Sequence, residues 1–178
     1  FHKTSLNGIA RATGIQKPTL YHSFSGKEEI LFHVQESVLD ALLERHELRH
    51  RACSEMEPLS CLRACMDDLL TLTVTHRGNL RVFLEYNNEL HEPFSTVIQE
   101  KWHRYIGVMN AHIAQASEQG SAREVNVTAL RMLLLGACTW AYQWFDPAGT
   151  LGPAELGDMF WAVLSLAGDA PCWRDADT

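Results

Sequence analysis

The sequence predicts an all-α chain, and three observations carry that prediction. Apolar residues recur three and four apart in segment after segment, the spacing of one helix face. Glycine or proline punctuates those segments at Gly14, Pro18, Gly26, Pro58, Pro93 and Gly120, where helices start and stop. With 178 residues and 46% hydrophobic content, the chain is long enough to bury a large core as a small head plus a larger helical-bundle body.

The head comes first. Thr4 or Ser5 can cap a short helix whose Leu6, Ile9 and Ala10 share one face. Gly14 then allows a sharp backbone turn, and Pro18 fits the first turn of a second helix. Two short crossed helices follow from this pattern, a helix-turn-helix. The second exposes Gln16, Lys17, Thr19, Tyr21 and His22 near its start, where a recognition helix meets base edges and phosphates in the major groove.

The body reads as five longer helices and one shorter. The first starts at Gly26-Lys27-Glu28-Glu29, carries Ile30, Leu31, Val34, Val38, Leu42 and Leu43 at helical spacing, and ends around Arg49 to Cys53, joining head to body. Pro58 opens a second, striped by Leu59, Leu62, Cys65, Met66, Leu69, Leu70 and Thr73 and stopped near Gly78. The shorter helix is expected from Asn79 to about Leu90. Pro93 begins a long one reaching about Gln119, with Phe94, Val97, Ile98, Trp102, Tyr105, Ile106, Met109, Ile113 and Ala116 facing inward and Gly120 as the stop. The last two, Val127 to Phe145 and Leu156 to Ala167, carry wide apolar stripes separated by the Gly/Pro-rich stretch Asp146 to Pro153.

Charge divides the chain at the same place. Through Lys27 it carries Lys3, Arg11, Lys17 and Lys27 and no acid; from Glu28 onward 11 basic residues face 22 acidic ones. The net charge of −7 conceals this asymmetry. A cationic tip finds phosphates through counterion release, while an anionic body avoids lying on a duplex.

Ile9, Ala10, Gly14, Ile15, Thr19, Leu20, Tyr21, Phe24 and Lys27 stand at the spacing I-A-x-x-x-G-[IV]-x-x-x-[TS]-[LIF]-Y-x-[HY]-F-x-x-K. This pattern resembles the TetR family of bacterial transcriptional regulators. The resemblance implies a helix-turn-helix DNA-binding head, residues 1–45 with the start of the connecting helix, and a ligand-binding and dimerisation body, residues 46–178. It implies phosphate contacts from Tyr21, Lys27 and Thr4 or Ser5, with Lys3 beside them. Gln16, Lys17, Thr19 and His22 lie nearer the base edges; Gln16 to adenine and Lys17 to guanine are chemically sensible pairings. Heads of this family open with a further helix of roughly four turns, and Phe1-His2-Lys3-Thr4 resembles the segment after it. Without that helix, Leu6, Ile9, Leu20 and Phe24 would lose part of their burial, so a mobile head is expected.

The wide stripes of the last two helices exceed what one core of this size needs. A four-helix homodimer interface follows, with Leu130, Leu134, Ala137, Ala141, Leu156, Phe160 and Val163 as the expected contacts; an intramolecular core without a partner is the alternative. Two heads held about 34–36 Å apart would enter successive major grooves of a palindromic operator.

Gly136, Thr139, Trp140, Trp144, Phe145, Pro147 and Gly149 resemble the G-x-x-[NT]-W-x-x-x-W-[YF]-x-P-x-G stretch of a TetR subgroup controlling acyl-CoA, fatty-acid and steroid catabolism. That resemblance implies an acyl-CoA thioester as effector, its nucleotide end reaching Arg77, Arg81, Arg104 or Arg131. Candidate ligand contacts are Met66, Leu69, Phe83, Tyr86, Asn87, Trp102, Ile106, Met109, Trp140 and Trp144, with Asn88 beside Asn87. Core packing is the competing role for the apolar members, dimer packing for Trp140 and Trp144, and a solvated loop for the Asn pair.

Other chemistries lack support. No apolar run reaches the roughly 18 residues of a membrane span, and no signal peptide stands at the start. Cys53, Cys61, Cys65, Cys138 and Cys172 form an odd set without a CxxC pair, which suits a reduced cytoplasm and small buried hydrophobes. His46 and His50, four apart beside Glu47, could begin a metal site, but no third and fourth ligand stands at a convincing spacing, so exposed histidines and no metal are expected. Asp67-Asp68 and Glu89-His91-Glu92 sit in no nucleophile or phosphate-loop motif, so neither an enzyme nor a cofactor is expected. A ligand-independent binder or activator with the same head, and an apolar-ligand carrier without DNA function, remain alternatives to an effector-released repressor.

Overall fold

The computed structural model describes residues 4–52, 57–119, 126–146 and 148–169. Among them lie eight α-helices and no strand: α1 (Leu6–Thr13), α2 (Lys17–Ser23), α3 (Lys27–Ala52), α4 (Pro58–Thr75), α5 (Arg77–Glu85), α6 (Phe94–Glu118), α7 (Val127–Trp144) and α8 (Pro153–Asp169). The all-α expectation holds. The main departure is α5, which starts two residues early and breaks at Tyr86, so that Asn87–Glu89 form a separate 3₁₀ turn. Lys3, Cys53, Pro147 and Cys172 lie outside the described residues.

Local chemistry sets the head. Ser5, not Thr4, caps α1: its Oγ accepts a hydrogen bond from the Gly8 N–H at 3.2 Å, satisfying one of the unpaired donors of the first turn. Gly14 closes α1 at φ 71°, a left-handed conformation that costs a residue with a Cβ roughly 1–2 kcal/mol. Pro18 then lies in the first turn of α2. The two helices pack on each other, burying Ala10 and Leu20, while Leu6, Ile9 and Phe24 are half-buried.

Helix α3 leaves the head and enters the bundle. Glu29 reaches back to accept from both the N–H and the Oγ of Ser25, at 2.6 and 2.7 Å, fixing the start of the helix. Phe24 meets His33 edge-on at 5.9 Å, and Glu28 accepts from the backbone N–H of His91 at 2.7 Å, so the junction rests on the loop before α6.

In the body, α4 is the central helix, packed against α3, α5, α6, α7 and α8. Its Leu62, Met66, Leu69, Leu70 and Leu72 join Leu39 and Leu42 of α3, Met109 and Ile113 of α6, and Leu134, Cys138 and Ala141 of α7 in one continuous core. Ion pairs bind the layers at their edges. Lys101 of α6 reaches Glu36 and Asp40 of α3 at 2.7 Å, and Arg63 of α4 reaches Asp158 of α8 at 2.8 Å. Deeper in, Asp68 is buried and accepts from Arg49 at 2.6 Å, pinning α3 to α4. Gln35, fully buried, donates to the Tyr86 carbonyl at 2.9 Å and so anchors the end of α5 to α3.

Candidate functional site

The head presents its polar residues outward. Gln16, Lys17, Thr19, Tyr21 and His22 are all exposed, Tyr21 by 53%, whereas Leu20 between them is buried. Helical spacing explains the split: Leu20 points back at α1 while its neighbours point away. Thr4 and Ser5 are exposed at the start of α1, and Lys27 is half-buried at the start of α3. Helix α2 therefore shows a polar, acid-free face that carries Lys17, with Lys27 just beyond its end. Lys3 lies outside the described residues.

The body divides its predicted site residues into two groups. Met66, Leu69, Phe83, Trp102, Ile106 and Met109 converge between α4, α5 and α6, where Phe83 and Trp102 ring centroids stand 5.7 Å apart; Met66 and Met109 are buried completely. Tyr86 is half-buried at the α5 break, and Asn87 and Asn88 are exposed. Trp140 and Trp144 belong elsewhere. They are 62% and 50% exposed on the outer side of α7, away from that interior.

The four arginines expected to meet a nucleotide end already have partners. Arg81 donates to Glu85 at 2.9 Å, Arg131 to Asn110 at 2.8 Å and Arg77 to the Gln143 carbonyl at 3.4 Å, and Arg104 pairs with Glu47.

On α7 and α8 the expected contact residues also split. Leu134, Ala141 and Leu156 are buried in the chain's own core, Leu134 to 1%. Leu130, Ala137 and Phe160 are half-buried, and Val163 is 67% exposed. The outer apolar face is instead made by Met132, Leu133, Trp140, Trp144, Met159 and Val163. A wide stripe reads the same from either side; packing on α4 and α6 decides which edge turns inward.

Sequence reasoning missed a third cluster. His46 of α3, Cys65 of α4 and His112 of α6 bring one ligand atom each within 4.8 Å of one another. Burial lowers the pKa of both imidazoles, helped by the neighbouring His50 and Arg49 charges, and pushes the Cys65 thiol up to about 12. Only His46 and His50 share a helix, so spacing along the chain gave no signal for the other two.

The chain is similar to known proteins throughout. Residues 1–34 match the family described as bacterial regulatory proteins, tetR family, and residues 55–166 match the tetracyclin repressor-like C-terminal domain. No curated protein matches it. Among solved structures, the TetR family transcriptional regulator PfmR from Thermus thermophilus superposes with a TM-score of 0.81 at 26% identity, over 95% of this chain and 91% of that one. AibR, solved in complex with isovaleryl coenzyme A and operator DNA, gives 0.77 at 30% identity over 91% and 87%. The ketosteroid transcriptional regulator KstR2 of Mycobacterium tuberculosis gives 0.82 at 21% identity over 93% and 85%, a likeness of fold. Family matches at both ends and this superposition over nearly the whole length lead to one conclusion: the chain belongs to the TetR family of bacterial transcriptional regulators.

Proposed function

We propose that the protein is a homodimeric repressor that holds a palindromic operator in its ligand-free form and releases it when a small apolar effector, an acyl-CoA thioester, enters the body. The observation that carries the reading is the acid-free, exposed face of α2 on a chain otherwise rich in acid. Gln16, Lys17, Thr19 and His22 face base edges, and Tyr21, Lys27, Thr4 and Ser5 hold phosphates. Residues 1–45 form the DNA-binding unit and 46–178 the effector and dimerisation unit.

Two copies join through the outer face of α7 and α8. Met132, Leu133, Trp140, Trp144, Met159 and Val163 are large apolar side chains left in water by the single chain, and a second copy removes them from it. This assignment moves Trp140 and Trp144 from the effector to the interface. The effector's acyl part lies between α4, α5 and α6, among Met66, Phe83, Trp102 and Met109, and it must displace packed side chains to enter.

Release is a population shift. An effector that binds better when the heads stand at the wrong spacing lowers operator affinity by that difference, typically about 1–3 kcal/mol per coupled site. Helix α3 runs from the head into the core that surrounds the effector, so its tilt transmits the change. The relative AibR, whose structure holds both isovaleryl coenzyme A and operator DNA, supports this pairing of ligands. A mobility shift on the protein's own upstream DNA tests it. Binding should weaken when isovaleryl-CoA or a longer acyl-CoA is added and not when free coenzyme A is added. Unchanged binding with every acyl-CoA would remove the effector assignment, and no shift at low salt would remove the operator.

A further inference from the structure

We propose that His46, Cys65 and His112 form a binding site for a zinc-type divalent ion, a site that clamps α3 to α4 and α6 in the middle of the bundle. Each residue comes from a different helix, and their donor atoms already lie within 4.8 Å of one another. In a tetrahedral site with bonds of about 2.0–2.3 Å, neighbouring donors stand roughly 3.3–3.7 Å apart. The donors must draw together by at most roughly 1–1.5 Å to close such a site.

Unmet hydrogen bonding points to the same place. Both ring nitrogens of His112 are buried without a partner, a costly arrangement for an imidazole unless something binds one of them. The Tyr105 hydroxyl, two turns earlier on α6, is likewise buried and unpartnered. His46 and His112 meet edge-on at 5.5 Å, so their rings flank a common space. Thiolate with two imidazoles is a donor set that suits zinc and leaves a fourth position for water. His46 also lines an open cleft with Leu43, Glu47, His50, Arg51, Arg104 and Val108, a route for the ion and that water.

Charge nearby is compatible. Arg49 lies beside the trio and is offset by Asp68 at 2.6 Å, and Arg51 and Arg104 on the cleft both pair with Glu47. On binding, the Cys65 thiol loses its proton to solvent and its sulfur takes a bond to the ion, the two imidazoles bind as neutral ligands, and no electron moves.

Chelator-treated protein, reduced and otherwise intact, should bind one Zn²⁺ per chain by equilibrium dialysis and gain thermal stability as occupancy rises. Co²⁺ in its place should give a near-ultraviolet thiolate charge-transfer band with the visible bands of a tetrahedral ion. Cys65→Ser should abolish that band, and His46→Gln and His112→Gln should each weaken binding on the order of 100-fold, at or beyond the 10–100-fold effect of merely supporting groups. The neighbouring Cys61→Ser and His50→Gln should leave affinity unchanged. Should Cys65→Ser fail to fold, the wild-type cobalt spectrum and the single proton released on Zn²⁺ binding carry the test. A wild-type protein that binds no Zn²⁺, a cobalt spectrum without the thiolate band, or binding lost with Cys61 or His50 rather than with the trio, would overturn the proposal. Because the readouts are metal uptake and spectra, none depends on operator or effector.

Discussion

Between Thr4 and Phe24 only Ala10 and Leu20 are buried, whereas α4 alone buries nine of its eighteen residues. The head devotes its sequence to an exposed polar face and two short packed helices. The body devotes its own to a core in which α4 touches five other helices. Substitutions should therefore separate: surface changes in the head alter DNA binding at constant stability, and interior changes in the body alter stability first.

The largest effect should come from the core. Leu70, fully buried on α4, should cost about 2–5 kcal/mol as Leu70→Ala, read by denaturant melts. Thr19→Ala on the exposed face of α2 should leave the same melt within about 0.5 kcal/mol while weakening operator binding. If Thr19→Ala unfolds the protein as Leu70→Ala does, the division between head and body is wrong.

Next in size is the outer face of α7 and α8, the proposed dimer interface. Val163→Glu should convert the proposed dimer to monomer in sedimentation and cut operator affinity by roughly tenfold or more, with helix content unchanged and the melting temperature lowered only by the lost association. Retained dimerisation with Val163→Glu and Trp140→Glu together would move the interface elsewhere.

Smaller again is the proposed phosphate contact of Lys27. Lys27→Ala should weaken binding to all sequences alike and reduce the slope of log affinity against log salt by about one. A changed sequence preference would instead make Lys27 a base reader.

The smallest effect lies at the joint between the two regions. The His91 N–H holds the Glu28 carboxyl below its ordinary 4.5, and the Ser25 N–H and hydroxyl do the same for Glu29. Lowered folded-state values mean stability that is fully present above 4.5 and lost as pH falls through the folded values. Melts taken on either side of 4.5 should show a small loss that Glu29→Gln reduces, since both carboxyls are exposed at the surface and screened.

Head and body also differ in how far they can be read without coordinates. Ser5, Gly14, Pro18 and Leu20 act on neighbours within a few residues, so the turn and the exposed face of α2 were legible in the chain itself, and the cap was narrowed to Thr4 or Ser5 before the structure chose Ser5. In the body, helix positions were legible from the three-and-four spacing, with two exceptions: α5 ends at Glu85, ahead of Asn87, and α8 starts at Pro153, three residues before Leu156. Orientation was not. Leu134 and Leu133 are adjacent and equally apolar, yet one is buried and the other exposed, because α7 turns the boundary between core and water between them. Trp140 and Trp144 stand outside for the same reason.

By itself, the amino-acid sequence determined the helix-turn-helix, its basic acid-free tip, the order of the helices and their family. Those properties depend on residues close together along the chain, where capping, backbone preference and charge act directly. Only the tertiary structure decided which edge of α7 and α8 faces water, which arginines are already paired, and that His46, Cys65 and His112 meet. Those depend on the rotation of each helix about its axis, which is fixed by packing against α4 and α6 and not by any segment alone.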